Sequence, residues 1–147
     1  MSSRPLHKFL NSNGDAVGSI FITLLALIVR LVGLSIDGLW FDEVFSVRAA
    51  RMSIGEIVSL TRGDVHPPIY YLLLHFWIKL FGETDVSVRM LSVLFSVLTV
   101  FVLYHLALKL FSRPAPIFAA LFAALSPFHV FYAQETRMYT QLTFFSA

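Results

Sequence analysis

Ala16 to Ile36 is a run of 21 residues carrying a single charge, Arg30. Wound as a helix, a run of that length reaches across the hydrocarbon core of a bilayer. It follows a polar start containing Arg4, His7 and Lys8 and leads into Asp37-Gly38-Leu39-Trp40, not into the small-residue site at which a signal peptide is cut. It therefore reads as an uncleaved first transmembrane helix. Bases before it and acids after it place the N-terminus in the cytoplasm and Asp42 outside.

The remainder of the chain suits the same solvent. With 57% hydrophobic and 14% charged residues, the sequence lies outside the range of soluble domains and reads as an all-α integral membrane protein. The net charge of +2 is scattered, so no basic tract points to nucleic acid. The lack of cysteine excludes disulfides and thiolate metal sites.

Between Asp42 and Thr61 the apolar residues Val44, Val47, Ile54, Ile57 and Val58 recur at roughly helical spacing, with Arg48, Arg51 and Glu56 among them. That pattern predicts interfacial helix over about 43–61, divided near Met52 by a capping box of Ser53 and Glu56. A turn-rich stretch, Arg62 to Pro68, leads into Pro67–Phe81. At 1.5 Å per residue those residues reach only about 22 Å, short of a hydrocarbon core of about 30 Å.

Two topologies follow. If 67–81 spans, Glu135 ends in the cytoplasm, across the membrane from Asp42. If it lies along the outer surface, Glu135 joins Asp42 outside, and the tight basic connection Lys109-Leu110-Phe111-Ser112-Arg113 is cytoplasmic. Its length favours the second arrangement. Val86–Phe111 is then the second span, with Thr84 or Asp85 as N-cap. Pro114 to about Gln134 is the third, kinked at Pro127, and another apolar segment begins over 138–147. The expected architecture is a polytopic helical bundle with spans at about 16–36, 86–111 and 114–134 and interfacial helices at about 43–61 and 67–81 in the first external loop. A chain that stops where an apolar segment starts is expected to be a fragment.

Several side chains suit chemistry at this face. Asp42 and Glu43 read as the start of a helix, one as N-cap and one in the first turn. A compatible functional reading makes Asp42 a catalytic base and Glu43 a neighbour that orients it or helps hold a cation. His66, held extended before two prolines, is a loop histidine or a partner for an acceptor or phosphate oxygen. Glu135 and Arg137 are a solvated helix end, or a second acid with a forked donor for a phosphate. Arg30 either snorkels outward or meets an anionic lipid phosphate. No second ligand stands at fixed spacing from His66, so a metal site is not specified, and a divalent cation stays open.

In order along the chain stand Arg30-Leu31-Val32-Gly33-Leu34, Leu39-Trp40-Phe41-Asp42-Glu43, His66-Pro67-Pro68-Ile69-Tyr70-Tyr71 and Val88-Arg89-Met90-Leu91-Ser92. Leu125-Ser126-Pro127-Phe128-His129 and Tyr132-Ala133-Gln134-Glu135-Thr136-Arg137-Met138-Tyr139 close the series. Together they resemble the N-terminal part of GT-C glycosyltransferases, around the protein O-mannosyltransferases and the aminoarabinose transferases that act on lipid A. The resemblance implies transfer of a sugar from a polyprenyl-phosphate carrier to a lipid, glycan or protein hydroxyl on the extracytoplasmic face of the cell membrane. It also implies that Asp42 is the base and that an acid near Glu135 belongs to the site. Members of that group are longer, so this chain alone is expected to show little or no transfer. Two other classes compete: a non-catalytic membrane subunit or scaffold, in which the acids are helix caps, and an ion pathway through Glu135, His129 and Arg30.

Overall fold

The computed structural model describes residues 4–63 and 67–147, and for residues 4–13 the backbone alone. Every described element is helical: α1 (Arg4–Leu31), α2 (Phe41–Arg51), α3 (Ile54–Thr61), α4 (Pro68–Phe81), α5 (Asp85–Leu110), α6 (Ala115–Leu125), α7 (Pro127–Ala133) and α8 (Tyr139–Ser146). Two of them, α1 from Gly14 and α5, are long and apolar enough to cross a membrane. A third crossing results if α6 and α7, bent by 53° at their junction, count as one broken span. The chain is thus an all-α membrane protein.

α1 and α5 run antiparallel, as their bonds show. Asp15, where the apolar part of α1 begins, pairs with Arg113 just past the end of α5. Ser19 meets His105 at 3.0 Å, and Arg30 donates to the Ser96 hydroxyl at 2.7 Å. At the far end Arg89 donates to the Leu34 carbonyl at 2.8 Å. Between these ties the helices approach closely through small residues. A Cβ added at Gly18 would stand 2.8 Å from the Tyr104 hydroxyl, and Ala26, Ala120, Ala123 and Ala124 are buried with Ile22 and Val100 in one core. Small side chains let membrane helices come together where lipid supplies no hydrophobic drive.

The helix α1 stops at Leu31, five residues before the apolar run ends. Gly33 explains the stop: its φ of 83° is a left-handed conformation that ends helices and suits glycine. Beyond it Val32 to Ile36 form turns.

A second core lies where α2, α3 and α4 pack beside the start of α5, with Val47, Ile57, Tyr70, Tyr71, Leu74 and Val88 buried. The break at Met52 is followed by the Ser53–Glu56 capping box, in which Glu56 accepts from the Ser53 N–H at 2.9 Å. Thr84 caps α5, accepting from the Ser87 N–H at 3.2 Å. His75, on α4, closes the unit by bonding the Ala50 carbonyl at 2.7 Å.

Candidate active site

The chain just past α1 would be a poorly satisfied loop without Arg89, whose guanidinium enters from the first turns of α5. Its N–H groups reach the carbonyls of Leu34 (2.8 Å), Asp37 (2.9 Å) and Gly38 (3.1 Å) and both oxygens of Glu43 (2.9 and 2.7 Å). All five donors of the fork are used. Glu43, 1% exposed, accepts in addition from the backbone N–H of Trp40 (3.0 Å) and of Thr136 (2.8 Å). Burial alone would raise its carboxyl, but the bonds from Arg89, Trp40 and Thr136 prevail and hold it below the ordinary carboxylate value.

One buried carboxylate therefore joins three pieces of chain: the start of α2, the start of α5 and the turn between α7 and α8. Two expectations change. Trp40, in extended conformation, occupies the N-cap position and Glu43 takes its N–H, so Asp42 is not the cap but a first-turn residue. Glu43 was also expected to orient Asp42 or help hold a cation, yet both its oxygens are fully engaged by protein donors.

Asp42 stands on the open side of the same turn, its side chain 68% exposed. It borders a cleft of about 270 Å³ that Glu135, Arg137, Trp40, Tyr132 and Tyr139 also line. The Arg137 guanidinium, 9% exposed, lies 4.0 Å from the Asp42 carboxylate, near enough to attract it and too far for a hydrogen bond. Its nearest backbone acceptor is the Asp42 carbonyl at 3.5 Å, and its Nε has no hydrogen-bond partner. The Tyr139 ring lies 5.8 Å below the guanidinium carbon. No carboxylate forms a close hydrogen bond with this guanidinium among the described residues, which suits it to meet an anion at the cleft. Glu135 is half-buried, and burial together with the Glu43 charge pushes its carboxyl above the ordinary value. The cleft thus holds an exposed carboxylate, a second acid that resists ionisation and an under-used guanidinium, rimmed by aromatics.

A smaller cleft of about 150 Å³ lies on the other side of Trp40, lined by Asp37, Arg89 and Gln134 and sharing Glu135. Among the described residues no three His, Asp or Glu side chains converge as metal ligands. His66 lies outside the described residues. Arg30 is in the bundle instead of the cleft, 0% exposed, with its guanidinium bonded to Ser96 and to three carbonyls.

Arg89 is not among the site residues that the sequence suggests, although it stands within one of the motifs above. The signal was an arginine placed early in an otherwise apolar spanning helix, which in a membrane marks a residue with a fixed partner.

The model of the dolichyl-phosphate-mannose-protein mannosyltransferase family matches residues 65–147. The chain belongs to that family. The match to the mannosyltransferase family covers more than half of the 147 residues and includes Arg89, Pro127, Glu135 and Arg137, while Asp42 and Glu43 precede it. Comparison with curated proteins and with solved structures gave no match. The mannosyltransferase family consists of membrane glycosyltransferases, which implies a lipid-linked sugar donor and an acceptor in the membrane.

Proposed function

We propose that the cleft transfers a sugar from a polyprenyl-phosphate carrier to an acceptor hydroxyl, with Asp42 as the base, at the extracytoplasmic surface of the cell membrane. The observation that carries this reading is the pairing, in one cleft, of the exposed Asp42 carboxylate with the Arg137 guanidinium 4.0 Å away. As the acceptor oxygen attacks the anomeric carbon, Asp42 takes its proton and the carbon–phosphate oxygen bond breaks. The electron pair leaves on the carrier phosphate. A phosphate needs little acid assistance on departure, but its charge needs a cation close by, the place of Arg137. Burial and the Glu43 charge raise the Glu135 carboxyl above its ordinary value, and in its protonated form it donates a hydrogen bond to the sugar or to a phosphate oxygen without repelling it. The acceptor is a lipid, glycan or protein hydroxyl, so the reading includes both the protein O-mannosyltransferases and the aminoarabinose transferases. A pure scaffold is the weaker reading, because Asp42 caps no helix and its exposed carboxylate meets Arg137 only at 4.0 Å, beyond hydrogen-bond reach.

Transfer of radiolabel from a polyprenyl-phosphate sugar in proteoliposomes tests the assignment, with Asp42→Asn made in this chain and in a longer member of the family carrying the same Asp-Glu pair. General-base loss is expected to lower transfer by about 10²–10⁴-fold, with carrier retention on the liposomes unchanged. Full transfer by Asp42→Asn would rule out Asp42 as the base. Arg137→Gln is expected to weaken carrier retention as well as turnover.

A further inference from the structure

Pro127 has no N–H, so the carbonyl four residues earlier, Ala123, loses its helical partner, and the 53° bend leaves the next one, Ala124, without a backbone donor too. At membrane depth such groups must be satisfied by neighbouring protein. Arg30 does this. Its Nη1 donates to the Ala124 carbonyl at 3.0 Å and its Nη2 to the Ala123 carbonyl at 3.2 Å. Ser96 on α5 and the Ala26 carbonyl on α1 fix the rest of the guanidinium, at 2.7 and 3.0 Å.

The far end of α7 is tied to the same part of α1 that Arg30 ties to the end of α6. Gln134, directly after α7, donates through its amide to the carbonyls of Arg30 (3.0 Å) and Val32 (2.7 Å), which the Gly33 turn has freed at the end of α1. α7, a seven-residue helix, therefore lies between two ties to the end of α1: Arg30 holds the last turn of α6 just before it, and Gln134 holds the chain just after it. The residues that follow are Glu135 and Arg137, one wall of the cleft. The other wall, Asp42, is fixed to α1 through Arg89 and the short 34–38 connection.

We infer that Arg30 and Gln134 are positioning residues: they hang α7 from α1 so that Glu135 and Arg137 stand opposite Asp42. Arg30 thus acts on the cleft through the proline break and not as a ligand for the carrier. For transfer the inference rests on the reading above. The geometry does not, and it is where the test is made. Misplacement of reacting groups by about 1 Å can cost on the order of 100-fold in rate, so a clamp of this kind is a sensitive control on the site.

The test measures the distance between spin labels at Phe41 and Phe131, 87% and 56% exposed on α2 and α7, in the full chain in lipid nanodiscs without donor or acceptor. Arg30→Met is expected to broaden and displace the distance distribution. Gln134→Leu should do the same from the other end, and Arg30→Lys should restore part of the parental distance. Adding Pro127→Ala to Arg30→Met returns an N–H to the Ala123 carbonyl, so thermal stability is expected to recover while the distance does not. Parental distances in both Arg30→Met and Gln134→Leu, or recovery of distance together with stability in the double variant, would overturn the clamp. If Arg30→Met fails to fold, Gln134→Leu decides, and an unchanged distance there overturns it. Because no substrate is present, failure here is distinct from failure of the Asp42→Asn test.

Discussion

Asp42 and Glu43 are adjacent, and the helix turns each residue by about 100° from the last, so one looks outward as the other looks in. Neighbours on a helix do not share a face. The outward carboxylate stands exposed at the cleft, while the inward one, which also forms part of the cleft lining, accepts four hydrogen bonds and pairs with Arg89 at 2.7 Å under nearly complete burial. Removing one member of such a pair leaves a buried charge uncompensated, so Arg89→Met is expected to cost about 3–5 kcal/mol, measured by thermal unfolding in detergent. Replacing both, as Glu43→Leu with Arg89→Met, should cost less than the sum of the single changes. The pH dependence has a definite sign. Glu43 is held below its ordinary value of 4.5, so the folded state binds fewer protons than the unfolded one, and the stability it adds is complete above that value and lost as pH falls through the folded value. The stability gap between the parent and Glu43→Gln should therefore be constant near neutrality and shrink on acidification. Glu135 behaves oppositely: its value is raised, so stability is lost as pH rises through it, and Glu135→Gln should gain on the parent over that range. The sequence displays both acids but not their division of labour. Their adjacency predicts different orientations, whereas Arg89 lies 46 positions from Glu43, a separation that no local pattern connects.

Local chemistry was legible wherever an element's end is set by its own residues. Ser53 and Glu56 divide the interfacial segment because the carboxylate takes the serine N–H, and Thr84 opens α5 because its hydroxyl takes an N–H three residues on. Ser53→Ala is expected to cost about 1 kcal/mol and to loosen α3 selectively, seen as faster hydrogen exchange in 54–61 with α5 unchanged. Equal loosening of both helices would show that the cap does not act locally. Pro127 likewise announces a break. What the proline could not announce is which group satisfies the carbonyls it releases, because that partner is Arg30, 94 positions from Ala124. An intramembrane arginine in a chain of this class invites a lipid phosphate as partner, and only the packing of α1 against α6 shows the backbone taking that place. Gly33 is hidden for a similar reason: an apolar run predicts crossing length, but a left-handed glycine within it ends the helix early and frees the carbonyls that Arg89 and Gln134 then bond.

At the scale of the whole molecule, the two topologies left by the sequence differ in one relation: whether the 109–113 connection lies at the same end of the bundle as α2 and α3. The geometry favours opposite ends. Asp15 pairs with Arg113 at the beginning of the α1 span, and Arg89 reaches Leu34, Asp37 and Glu43 at its close. An α4 of 14 residues reaches about 21 Å at 1.5 Å per residue, and it packs sideways on α2, α3 and the start of α5. With one crossing by α1 and one return by α5, Ser112 emerges on the side from which α1 set out. The broken α6–α7 pair then brings Glu135 and Arg137 back to the side of Asp42, which a cleft containing all three requires. Single cysteines decide the matter, since the chain has none of its own. Gly55→Cys suits α3 because a Cβ there meets nothing within 4 Å, and Ser112→Cys lies in an exposed connection. In sealed spheroplasts an impermeant maleimide is expected to label Gly55→Cys at once and Ser112→Cys only after the membrane is permeabilised. Equal labelling of both in intact spheroplasts would mean that α4 crosses, and it would separate Glu135 and Arg137 from Asp42 by a bilayer.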